Sequence, residues 1–167
     1  MTEIEIGRSK RAINGFAFDD IAIVPTRRTR DPRDVSTSWS IDAFQFEMPV
    51  IAAPADSAMS PATAIELGKL GGLGVLDLEG LWTRYEDPTQ QLAEIAAAKD
   101  EDATAVLQRV YSKPVQAELI EARLGEIRAA GVTVAGALSP QRTAEFADVV
   151  LRSGVDMFVI RGNTVSA

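Results

Sequence analysis

Asp56, Asp77 and Glu79 each stand just past a short apolar run, and Arg161 stands past another. Carboxylates and a cation gathered at strand ends are the material of a metal site, an ion pair or an anion contact. As a Mg²⁺ set the three acids are a weak pattern, and their types alone favour solvated or paired carboxylates. Arg161 opens the segment Arg161-Gly162-Asn163, where a guanidinium meets either a phosphate or an internal carboxylate, Asp77 or Glu79 for instance. Asp56 belongs to Ala53-Pro54-Ala55-Asp56-Ser57, which separates a strand-like run from a helix-like one. The residues by themselves favour a plain connector over a ligand loop, because turns of this length are common. Gly71-Gly72-Leu73-Gly74 looks like a phosphate loop. It follows a helix and precedes a strand, the reverse of a dinucleotide fingerprint, so it reads as a helix C-cap and a close helix–strand approach. Arg27, Arg28 and Arg30 sit among Asp31 and Asp34 and read as a solvated loop. Trp82 and Tyr85 are expected over the rim of the fold or against a neighbouring subunit.

The rest of the composition narrows the chemistry. The chain has 167 residues, no cysteine and no histidine. A disulfide framework, a cysteine nucleophile, thiolate or imidazole metal ligation and a Ser-His-Asp triad are therefore impossible within it. Hydrophobic residues make up 46% and charged residues 25%, the balance of a globular core. The net charge of −7 with no long basic run argues against nucleic acid and anionic lipid as partners. No apolar run is long enough to span a bilayer, and the N-terminal segment lacks the apolar stretch of a secretory signal. A cytoplasmic protein is the expectation.

The elements that must position these residues follow a rhythm. Residues 1–15 read as polar and loose, Ile21–Val24 as a short strand stopped by Pro25, and 39–47 as a strand lying over the end of a core. From Pro49 the order is β-α-β-α-α-β-α-β. Val50–Ala53 is a strand. Ser60-Pro61 caps a helix running to Leu70, and Gly71-Gly72 ends it. Leu73–Leu76 is a strand. Asp87-Pro88 with Gln90 resembles a capping box for a helix bearing Leu92, Ile95 and Ala96 on one face. "KDEDATA" reads as a charged link and 105–111 as a short helix. Pro114 opens a helix with Val115, Leu119, Ala122 and Ile127 inward. Residues 132–138 form a strand, 140–153 a helix bearing Ala147, Val150 and Leu151, and 155–162 a last strand. Short strands rich in Val, Ile and Leu are those of a parallel sheet buried on both faces. Doubly wound sheets and (β/α)8 barrels both give this rhythm, and both bind ligands at the carboxyl ends of the strands.

Phe18-Asp19-Asp20 ahead of Val24-Pro25, the stretch "PVIAAPADSAMSPATAIELGKLGGLGVLDLEG" and "GVDMFVIRGN" together resemble the IMP dehydrogenase / GMP reductase family. "LDLEGLWTRYEDP" is similar to the bacterial subgroup that lacks the CBS-domain pair. The resemblance implies the N-terminal half of a (β/α)8 TIM barrel at 48–167, preceded by an extension with short strands at 1–47. It implies hydride transfer between NAD or NADP and a purine nucleotide (IMP, GMP or XMP), in either direction, and a homo-oligomer such as a tetramer. The family's catalytic cysteine loop, phosphate loops and flap belong to the second half of the barrel, so no catalytic residue is expected here and the chain alone is expected to be inactive. Substrate contact carries over to Ala53, Pro54, Ala55 and Asp56, and cofactor contact to Arg161, Gly162 and Asn163. Two departures stand out. Ala53 and Ala55 occupy the places of the family's serine and methionine, and Arg161 occupies that of an aspartate that engages the nicotinamide ribose. They keep a second reading open: a non-catalytic relative that binds nucleotide or serves in assembly.

Overall fold

The computed structural model describes residues 3–5, 11–13, 15–24 and 31–162. The chain divides into two compact units, Met1–Ser36 and Thr37–Ala167. In the first, strands β1 (Glu3–Glu5) and β2 (Arg11–Ile13) pair antiparallel. Phe18–Asp20 makes one 3₁₀ turn, tied by the Ala17 N–H donating to Asp20 Oδ2 at 2.9 Å. Residues 21–24 do not form the expected strand. A four-residue run becomes a strand only with a ladder partner, and none of the described residues pairs with it. Pro25 and Arg27, Arg28 and Arg30 lie outside the described residues.

The second unit opens with a hairpin, not a single strand. Strands β3 (Trp39–Ile41) and β4 (Phe44–Phe46) fold back through Asp42, whose φ is 50°. The turn breaks the period-two alternation, which is why residues 39–47 show no clean face in sequence. Opposite residues Trp39 and Phe46 stack with centroids 4.7 Å apart.

Then come β5 (Ile51–Ala52), α1 (Pro61–Lys69), β6 (Leu73–Asp77), α2 (Thr89–Ala97), α3 (Asp100–Val110), α4 (Ala117–Ala129), β7 (Ala135–Leu138), α5 (Pro140–Arg152) and β8 (Met157–Ile160). The four strands β5 to β8 are parallel and adjacent in chain order. With helices packed along one face they form half of a (β/α)8 barrel. The two faces carry different side chains. Leu76, Leu138 and Phe158 join Ile120, Leu124, Ile127 and Val150 in the layer between sheet and helices. Leu73, Val75, Ala135 and Ala137 face the barrel interior, where Phe46, Phe44 and Trp39 of the hairpin close over them. Among the described residues no helix is long and apolar enough to cross a membrane.

Local chemistry explains the boundaries. Ser60 caps α1 reciprocally: its Oγ accepts from the Thr63 N–H at 3.1 Å, and Thr63 Oγ1 accepts from the Ser60 N–H at 2.6 Å. Gly71, at φ 86°, ends α1, and Gly72 donates back to Leu67 O. An added Cβ on Gly74 would lie 2.7 Å from Ala64 Cα, so β6 and α1 touch backbone to backbone. Both roles expected of the glycine segment are therefore present.

Four expectations need correction. "KDEDATA" is not a link but the start of α3, with Asp100, Glu101 and Asp102 in the first turn, where the positive helix end favours them. Asp87 Oδ1 accepts from Thr89 N–H and hydroxyl instead of making a capping box with Gln90. α4 begins at Ala117, because the Gln116 N–H donates to Thr83 O and holds 114–116 out of the helix. Its buried residues are accordingly Ile120, Leu124 and Ile127, and Ala122 is exposed. In α5 the buried pair is Phe146 and Val150, while Leu151 faces out.

Candidate functional site

A cleft of about 700 Å³ opens at the carboxyl ends of the strands. One side is the loop after β5, with Pro54, Ala55, Asp56 and Ser57; the floor holds Asp77 of β6 and Arg161 just past β8. The opposite side is built by Leu92, Ile95 and Ala96 of α2, Leu107 of α3, and Tyr111. The β5 loop is held in tight turns, with Ala55 N–H donating to Ala53 O at 2.9 Å and Met59 N–H to Ala55 O at 2.8 Å. It carries Asp56 inward, where Oδ2 accepts from the Leu81 N–H at 2.7 Å and from the Tyr111 hydroxyl at 2.6 Å. Gly80 makes room for this carboxylate: a Cβ there would come within 2.3 Å of Asp56 Oδ1. Oδ1 itself is buried and has no hydrogen-bond partner among the described residues.

Arg161 lies across the floor. Its guanidinium donates to Pro54 O at 2.6 Å and to Asp77 Oδ2 at 3.1 Å. Asp77 Oδ1 accepts from the Glu79 N–H at 2.9 Å. The Asp77 side chain is 14% exposed and that of Arg161 45% exposed, so the pair runs from the interior to the cleft mouth. Burial pushes the Asp77 carboxyl above its ordinary range, against the pull of the Glu79 N–H and the Arg161 charge. Burial and the Asp56 carboxylate both push the Tyr111 phenol up, so it stays a neutral donor. Glu79 accepts from the Ser139 N–H. All three acids of the sequence pattern are thus engaged by donors of this chain.

The segment 78–88 locks this arrangement. Thr83 is fully buried and its hydroxyl donates to Leu78 O at 2.9 Å. Arg84 donates to Glu79 O at 2.9 Å and to Tyr111 O at 2.8 Å, and Gln116 Nε2 donates to Arg84 O at 2.6 Å. Tyr85 OH donates to Val110 O at 2.8 Å, with Lys113 over its ring. Arg123 lies over Trp82. Both aromatics therefore pack within this chain.

Of the residues singled out in sequence, Pro54, Ala55, Asp56 and Arg161 meet in the cleft. Ala53 is exposed and does not line it. Gly162 abuts Pro140, whose Cγ lies 2.9 Å from where a Cβ would stand. Asn163 lies outside the described residues. The α2–α3 side and Tyr111 were missed. The apolar stripe of α2 was visible, but a stripe facing a core and one facing a cleft have the same period.

A family profile described as "IMP dehydrogenase / GMP reductase domain" matches residues 15–165. The chain belongs to this family. An uncharacterized oxidoreductase of Mycobacterium tuberculosis is 46% identical, with the match covering 98% of this chain and 45% of that protein. One from Mycolicibacterium smegmatis is 43% identical with the same coverage. An inosine-5'-monophosphate dehydrogenase of Bacillus subtilis is 36% identical over 69 residues, 41% of this chain and 14% of that protein. The crystal structure of an IMP dehydrogenase/GMP reductase-like protein from Corynebacterium glutamicum superposes with a TM-score of 0.83 at 40% identity, over 98% of this chain and 45% of that one. The chain spans about half the length of these full-coverage relatives, consistent with half of the IMP dehydrogenase / GMP reductase barrel.

Proposed function

We propose that this chain forms one side of the active site of a purine nucleotide oxidoreductase, which in the complete barrel transfers hydride between NAD(P) and IMP, GMP or XMP. The observation that carries the reading is the cleft itself. It lies at the carboxyl ends of the strands, where barrels of this kind bind ligands, and brings Pro54–Ser57 together with Arg161 in a chain of this family. The role of this half is to bind and orient: the β5 loop and the Asp56–Tyr111 pair fix one wall.

NAD or NADP enters by family membership alone. The described cleft residues do not fit a nicotinamide ribose. Asp77 is engaged through both oxygens, by Arg161 and by the Glu79 N–H, and the open Asp56 oxygen is buried beside Gly80. No step of hydride transfer is assigned to a residue of this chain. The same ion pair, with Ala53 and Ala55, favours the second reading, a family member that binds nucleotide or serves in assembly without turnover. Cytoplasmic location and a homo-oligomer of the complete protein, up to a tetramer, are part of the proposal.

Assays of IMP with NAD and of GMP with NADPH test it. The 167-residue chain alone is expected to convert neither. The complete barrel is expected to convert one of them. Nucleotide binding by the complete barrel without turnover of either would replace the first reading by the second. Conversion by the isolated chain would refute the division of labour between the two halves.

A further inference from the structure

The α2–α3 side of the cleft is made of apolar residues that no core absorbs. α2 has no buried residue, yet Leu92, Ile95 and Ala96 share one face and line the cleft. Leu107 of α3 is 41% exposed and joins them there. An amphipathic helix is stable in water only when its stripe is covered, so an uncovered stripe turned into a cavity is a contact surface for what enters. The α2–α3 helix pair is also fixed in place. Glu94 and Arg109 pair across it. Its carboxyl end is pinned by Arg84 to Tyr111 O, by Tyr85 to Val110 O, and by the Tyr111 hydroxyl to Asp56 at 2.6 Å. The last bond ties this wall directly to the β5 loop on the other side of the cleft. That opposite side is short of bulk, because Ala55 presents only a methyl group. A volume of about 700 Å³ is within the usual small-molecule range of roughly 300–1,000 Å³.

We infer that α2–α3 is the ring-facing wall of the nucleotide site: Leu92, Ile95 and Leu107 pack against one face of the flat purine, and the small Ala55 leaves room on the opposite side for its thickness. The inference rests on the purine reading above and adds the surface that takes the base. Aliphatic side chains against a heteroaromatic face contribute through buried apolar area, so the contact is common to a nucleotide and its nucleoside and indifferent to the phosphate.

Calorimetric titration of the complete barrel with IMP, GMP, XMP and the matching nucleosides tests this, using Leu107→Asn, Leu107→Met and, as a control on the outer face of α5, Leu151→Asn. Leu107 is already partly exposed, so Leu107→Asn is expected to leave the thermal midpoint nearly unchanged. It is expected to weaken nucleotide and nucleoside alike by roughly tenfold or more. Leu107→Met is expected to stay within about threefold of wild type, as a volume-conserving swap. Leu151→Asn is expected to match wild type. Unchanged affinity in a folded Leu107→Asn protein overturns the wall while leaving the purine reading intact. A loss confined to the nucleotides assigns the effect to the phosphate end and also overturns it. A wild-type protein that binds no purine nucleotide or nucleoside removes the purine reading, and the inference falls with it.

Discussion

Arg161 and Asp77 decide much of the character of the site at the scale of single residues. A guanidinium that donates to Pro54 O and Asp77 Oδ2 closes the cleft floor with groups of this chain. Two readings of Arg161 stood level in sequence, a phosphate contact and an internal pair, because residue type cannot say which neighbour is within reach. The fold supplies Asp77 from a strand 84 positions away. The pair has a consequence for pH. A carboxyl raised by burial keeps its proton in the folded chain after the unfolded chain has lost it. Its contribution is therefore neutral at low pH and becomes unfavourable as pH rises from the ordinary carboxylate range through the raised value. Urea midpoints of wild type and Asp77→Asn between pH 4 and 7 check this. Wild type should lose stability relative to the variant as pH rises through that window, and a flat or opposite difference contradicts the assignment.

At the scale of elements, the glycines set distances that hydrophobic pattern does not. β6 approaches α1 so closely that a Cβ on Gly74 would stand 2.7 Å from the Ala64 Cα. Backbone cannot swing aside as a side chain can. Gly74→Ala is expected to cost about 1–3 kcal/mol by overpacking, read as a fall in the urea midpoint with an unchanged slope. An equal substitution at Gly125, which has open space where a Cβ would go, should be neutral or stabilising. The element boundaries that were legible in sequence are those written in local chemistry: Ser60-Pro61 opening α1, Gly71-Gly72 closing it, Ser139-Pro140 opening α5. Those that were not legible depend on distant partners. Gln116 is extended because Thr83 O accepts its N–H, and that shifts the start and the buried face of α4.

In the second unit, the outer strands β5 and β8 of the four-stranded parallel sheet each have a strand neighbour on one side only among the described residues. The interior face of β6 and β7 is covered by the β3–β4 hairpin. The outer strands carry exposed apolar residues, Val50 and Ile51 at β5 and Val159 and Ile160 at β8. Unpaired strand edges carrying apolar side chains favour association. The isolated chain is therefore expected to associate in sedimentation velocity and to unfold over a broad denaturant range. A sharply two-state monomer would contradict the edge argument.

Sequence by itself determined the repeating strand–helix order, the parallel sheet, the loops that follow the strands at their carboxyl ends and, through residues such as Phe18-Asp19-Asp20 and Gly71-Gly72-Leu73-Gly74, the family. Each of these is set by neighbours along the chain: side-chain period, caps, and glycines with positive φ. Tertiary structure alone decided that Tyr111 reaches Asp56 across 55 positions, that Arg161 is held by Asp77, and that the stripe of α2 faces a cleft. A hydrogen bond or an apolar contact depends on distance in space, and the chain reveals that distance only after it has folded.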